Sequence, residues 1–187
     1  MARDEFEDVV REAILSLPQD MKAMLRVVED PDLDDHHRVL AAGAVLHVLS
    51  AHNAIPGMRG TLAYVDDVIV LRLVLERLVA EAPEAMERHR EDSPELFEPL
   101  AEQLGVVRAY LGELLTVLER ACEGLPRLTH QGHTAEECAL DDDGSTWLYD
   151  AVHAALVTEL DFKRDEVTRT VKNVDQILKP LQMRLAT

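Results

Sequence analysis

The chain has 187 residues, 47 % of them apolar but only 4 % aromatic, and its 36 acids against 19 Lys and Arg leave a formal net charge of −17. A core built from Leu, Val, Ala, Ile and Met favours helix packing over a β-sandwich, and a field of that sign repels nucleic acid and anionic lipid. No uninterrupted run of about 20 apolar residues predicts a membrane-spanning helix. The first residues, Met1-Ala2-Arg3-Asp4-Glu5-Phe6, lack the apolar stretch of a signal peptide. The two cysteines, Cys122 and Cys138, do not form a secreted disulfide framework. A cytoplasmic protein with reduced thiols is the expectation.

In chain order, Phe6, Val9, Val10, Ala13, Ile14 and Leu17 recur at helical spacing, and Pro18 is expected to end that helix. Asp20 then caps a short second helix with Met21, Met24, Leu25 and Val28. After an acidic turn at 29–35, Asp34 or Asp35 caps a third helix over 36–50 that is apolar nearly all round, which marks a buried element. A connector with Pro56, Gly57 and Gly60 leads to a fourth helix over 63–81. Pro83 allows at most a turn beyond it, one or two helical turns are expected over 84–93, and Ser93-Pro94-Glu95 is a helix start.

Leu100, Leu104, Val107, Leu111, Leu114, Leu118 and Ala121 alternate steps of four and three, a heptad seam. Val106, Tyr110, Leu115 and Val117 widen the stripe, so a helix packed inside a bundle is preferred to a dimer interface. A connector over 124–144 follows. Ser145 is expected to cap a last helical region that runs to Pro180, with a break at the polar stretch 161–166. No strand alternation stands out. The expectation is an all-α single domain of about six or seven helices. An apolar hairpin within 30–82 lies at its centre, and additional long helices fill 94–187.

The block Leu49-Ser50-Ala51-His52-Asn53-Ala54-Ile55-Pro56, followed by Leu62-Ala63-Tyr64-Val65-Asp66-Asp67-Val68-Ile69, resembles the bacterial YkvA-like family, domain of unknown function 1232. Ser50, Ile55, Pro56, Leu62, Tyr64, Asp66 and Asp67 match that family's pattern. Ala51 stands where it usually has Pro, Asn53 and Gly57 where it usually has Asp, Gly60 where it often has Pro, and Ala63 where it has Gly. The resemblance covers about 30–82 and implies a helical hairpin with a structured turn. It implies no activity.

The residues of this block also read on their own chemistry. Pro56 biases Ile55 away from the helical region and shapes the turn. Asp66 and Asp67 fall at a helix start, where a carboxylate satisfies orphan N–H groups and suits the dipole. The competing reading is a metal or acid–base site that joins these carboxylates to groups of the turn. Asn53 offers an uncharged oxygen ligand there.

His130, His133 and Cys138, with Cys122 upstream, are soft zinc donors around one loop, but their spacing matches no closed finger. Asp141-Asp142-Asp143-Gly144 with Asp150 forms part of a calcium-loop pattern, with Ala139 at the first ligand position. His36 and His37, being adjacent, should point in different directions and make poor co-ligands. His47 reads as a satisfied helix histidine, and His52 in the turn as a pH-sensing candidate. Nucleophile elbow, phosphate loop, dinucleotide fingerprint and paired-His metalloprotease motifs are missing.

The expectation is therefore a non-enzymatic interaction or regulatory protein with a protein partner or self-association. It needs no cofactor, has no assigned catalytic or metal residue, and does not bind nucleic acid. The alternatives are a membrane-peripheral protein using the apolar hairpin, which the net charge disfavours, and a metal-dependent enzyme built on Asp66 and Asp67 or on the 130–138 loop.

Overall fold

A computed structural model describes residues 1–50 and 53–187, so Ala51 and the pH-sensing candidate His52 lie outside the described residues. Phe6, Val10, Ile14, Leu17, Met21 and Met24 are all buried on one continuous helix, α1 (Ala2–Val28). The break expected at Pro18 does not occur. Proline inside a helix costs about 3 kcal/mol. Each fully buried large side chain returns about 1.5–3 kcal/mol, and Ile14, Leu17 and Met21 flank Pro18 in the core. Asp20 is likewise no cap: it sits inside α1 and is buried.

The hairpin is central. Its first arm, α2 (Asp35–Leu49), is buried continuously from Leu40 to Val48. After a turn and a 3-10 segment (Gly60–Tyr64), its second arm, α3 (Val65–Glu81), buries Val68, Ile69, Val70, Leu71, Val74, Leu75 and Leu78. Gly60 has φ +59°, a backbone conformation closed to proline and favourable to glycine. The arms run antiparallel: His47 near the end of α2 meets Asp66 at the start of α3, and His37 near the start of α2 meets Glu81 at the end of α3. Gly43 lets α2 approach its neighbour closely, since a Cβ there would lie 2.3 Å from the Leu125 carbonyl oxygen.

Beyond the hairpin, the helical turns expected over 84–93 form a ten-residue helix that Pro83 itself opens, because proline is tolerated in the first turn; α4 is Pro83–Asp92 and α5 is Pro94–Phe97. The heptad stretch is not one straight helix. It divides into α6 (Leu100–Leu111) and α7 (Leu115–Gly124) around Gly112, whose φ is +53°. Leu100, Leu104, Val107, Leu111 and Leu118 are buried within the chain and Leu114 and Ala121 are half-buried, so most of this seam packs into the core.

The 124–144 connector is ordered. It holds a 3-10 turn (Leu125–Arg127), an antiparallel two-residue ladder of β1 (Thr129–His130) with β2 (His133–Thr134), and α8 (Ala135–Leu140). Thr134 and Glu137 form a capping box that starts α8. The next helix, α9 (Asp142–Thr158), takes Asp141 as its N-cap position, four residues upstream of the expected cap Ser145. After the expected break come α10 (Arg164–Val171), a 3-10 turn (Val174–Ile177) and α11 (Leu178–Leu185), which accommodates Pro180 in its first turn. A single contiguous apolar core runs through all of this, from Phe6 to Leu181.

Candidate functional site

Antiparallel packing of α2 on α3 brings three ionisable side chains together at the turn end of the hairpin. His47, Asp66 and Asp67 are 5 %, 1 % and 3 % exposed, and a ligand atom from each lies within 4.8 Å of the others. His47 Nε2 is 3.3 Å from Asp66 Oδ2 and 3.3 Å from Asp67 Oδ1. Asp66 Oδ2 also accepts the Ala54 N–H, which fastens the turn to α3. Neither contact of His47 Nε2 has hydrogen-bond geometry. His47 Nε2 and Asp67 Oδ1 are both shut off from solvent without a hydrogen-bond partner. Buried polar atoms are paired in the great majority of cases, so two unpaired ones facing each other require an explanation.

Electrostatics sharpens the point. Burial, and then the charge of Asp66, push the Asp67 carboxyl well above the ordinary carboxylate range. Two carboxylates and one imidazole form a donor set that bears excess negative charge at low dielectric. The expected role of Asp66 and Asp67 as helix caps is not what they do. They are the second and third residues of α3, they suit its dipole, and Asp66 bonds the Ala54 N–H of the turn instead of its own helix.

Asp67 also lines a cleft of about 850 Å³ between the turn, α9 and the 161–167 segment. Ser50, Asn53 and Tyr64 contribute to its wall, while Pro56 is exposed on the turn outside it. The Ser50 hydroxyl donates to the His47 carbonyl at 3.1 Å and holds the end of α2. Tyr64 packs edge-on against Phe162 with ring centroids 5.0 Å apart. Its phenol is pushed up by burial and by the charges of Glu159 and Asp67, so the cleft is negative around it. Lys163 is the single Lys or Arg among the lining residues, against Asp67, Glu159, Asp161 and Glu166.

The loop candidates are dispersed. The His133 ring stacks on Trp147 at 4.1 Å, and His130 lies on the wall of the large cleft. Burial pushes the Cys138 thiol up to about 11 and the Cys122 thiol up to about 12, which disfavours the thiolates that zinc requires. Among the described residues, no cluster of three close donors includes His130, His133 or Cys138. Asp141, Asp142 and Asp143 open α9 and do not wrap a calcium loop.

His47, expected to be a satisfied helix histidine, instead has its Nε2 buried without a hydrogen-bond partner. No spacing rule connects it to Asp66 and Asp67; only the antiparallel register of α2 on α3 does. Compared with protein families, curated proteins and solved structures, the chain matches none of them.

Proposed function

We propose that the protein binds a divalent metal ion through His47, Asp66 and Asp67, and that this ion serves a small ligand held in the adjoining cleft. The observation that carries the reading is the pair of buried, unpartnered atoms, His47 Nε2 and Asp67 Oδ1. Their hydrogen-bonding capacity has been removed from water without replacement, at a cost of about 1–3 kcal/mol per group. A divalent cation repays it, because two ionised carboxylates and a neutral imidazole around such an ion sum to zero charge. Without the ion, protonation of Asp67 relieves the same excess, in line with its raised pKa.

One imidazole and two carboxylates suit manganese, ferrous iron or zinc better than calcium, which takes six to eight oxygens. Three protein donors leave coordination positions for water or a ligand, as in catalytic metal sites and unlike closed structural ones. Asp67 connects this centre to the cleft. When bound, the ion supplies Lewis acidity toward an oxygen of the cleft ligand. The resemblance of 30–82 to the YkvA-like family belongs to the same proposal, because the matched turn delivers Asp66 and Asp67.

The test is titration of manganese and of zinc into chelator-treated protein by calorimetry, with Asp67→Asn as the near-isosteric control. One equivalent that the wild type binds and Asp67→Asn loses, with an unchanged far-ultraviolet spectrum, supports the reading. Equal binding by both proteins, or none by either, refutes it.

A second reading keeps the protein-partner expectation. Large exposed apolar residues among the described ones are Met1, Leu140, Tyr149, Val157 and Met183. Tyr149 and Val157 lie two turns apart on α9, with His153 stacked on Tyr149 between them. A partner chain would use that face, and loss of self-association or of capture in Tyr149→Ser with Val157→Ser would show it. No helix among the described residues is long and apolar enough to cross a membrane.

A further inference from the structure

The opposite end of the hairpin carries a second, separate group of donors. Asp34, His36 and His37 each offer a ligand atom within 4.8 Å of the others. Adjacent helical residues were expected to diverge, yet the His36 and His37 rings lie with centroids 3.8 Å apart at a 41° tilt. At the first turn of α2 both side chains lean to one side. Asp34 holds the N-cap position, but its side chain makes no capping bond.

His37 is the informative residue, at 5 % exposure. Its Nε2 lies 2.9 Å from Glu81 Oε2 at the end of α3. Glu81 is paired as a carboxylate: its Oε1 accepts from Arg77 Nε at 3.0 Å. An ionised carboxylate only accepts, so Nε2 carries the hydrogen and donates. In the neutral ring this leaves Nδ1 as a bare lone pair, and Nδ1 is buried with no partner. A carboxylate that orients a histidine through one ring nitrogen while the other nitrogen meets a metal is a recurrent arrangement at metal sites. Glu81 occupies that orienting position here.

We propose that Asp34, His36 and the Nδ1 of His37 bind a second divalent ion of the zinc or nickel class, with Glu81 as the positioning residue behind His37. Two imidazoles and one carboxylate select such borderline ions over magnesium or calcium. The positive end of the α2 dipole opposes a cation at this position. Asp32, Asp34, Glu81 and Glu84, gathered around one small cleft with His37, offset it. The ion would brace the start of α2 against the end of α3, at the far end of the hairpin from His47. This site depends on none of the residues of the first.

Zinc alone is the probe, titrated into the chelator-treated full chain by calorimetry. Asp34 and His36 are exposed, so Asp34→Asn with His36→Ala leaves the fold intact. The double variant should lose one zinc equivalent that Asp67→Asn retains, and Glu81→Gln should weaken that equivalent about 10–100-fold. Imidazole nitrogen resonances identify the ligating atom: zinc should shift Nδ1 of His37 and leave Nε2 protonated. Retention of the equivalent in the double variant overturns the proposal. So does its loss on replacing the half-buried histidines His130 and His133 by Ala, or ligation of His37 through Nε2. Failure of the first site alone would remove only the equivalent sensitive to Asp67→Asn.

Discussion

Two buried aspartates, Asp20 on α1 and Asp67 on α3, are each 3 % exposed, yet their surroundings differ in kind. Asp20 Oδ2 accepts from Arg72 Nη2 at 3.2 Å and from the Ser16 hydroxyl at 3.0 Å. Arg72 spends its other donors on the Gln103 side chain and the Val68 carbonyl, so the network ties α1, α3 and α6 together. Burial raises the Asp20 pKa and lowers that of Arg72, with each partner opposing the shift, as in a paired buried ion. Asp67 has no arginine or lysine and no hydrogen-bond partner on Oδ1; the His47 imidazole lies 3.3 Å away, and the charge of Asp66 adds to burial in raising its pKa. A buried charge with its partners present is architecture. A buried charge without them carries a desolvation cost that nothing inside the fold offsets.

This contrast is open to attack by substitution. Asp20→Ala leaves Arg72 buried and unpaired and should cost about 3–5 kcal/mol in chemical denaturation. A cost under about 1 kcal/mol would remove the network from the architecture. Replacing the pair together, Asp20→Leu with Arg72→Met, should recover most of that loss, because the desolvation of both ions disappears with them.

Asp67→Asn should act in the opposite direction. In chelator it should stabilise the protein by roughly 0.5–2 kcal/mol, the gain typical of relieving a functional compromise. The sign has a pH signature. The folded-state pKa of Asp67 lies above its unfolded value, so the folded protein holds the extra proton, and stability from this group falls as pH rises between the two. The advantage of Asp67→Asn should therefore be largest near neutrality and vanish below the ordinary carboxylate range, near about pH 4. Thermal melts across that window in chelator decide it; a destabilised Asp67→Asn would make the cluster structural.

The smallest effect belongs to the exposed end of the hairpin. Without metal, Asp34→Asn with His36→Ala should change stability by no more than about 0.5 kcal/mol, as surface substitutions do. With zinc present, the wild type should gain melting temperature relative to this variant. Equal melts in zinc would confine metal binding to the buried end.

Local pattern determined much of this protein. The apolar period, the Pro and Gly signals and the scarcity of aromatics specify an all-α chain with a buried hairpin, and the arms of that hairpin fall within a residue or two of their expected bounds. Periodicity reports which face of a segment is apolar, and that is a property of the segment alone. Tertiary structure decided the rest. Burial on both sides carried α1 through Pro18, and positive φ at Gly112 split the heptad stretch into two helices. Packing also turned Leu111 inward. It placed His47 beside Asp66 and Asp67, gave Asp20 an arginine and left Asp67 without one. Whether a buried carboxylate is satisfied depends on side chains delivered by other helices, and no local spacing encodes their arrival.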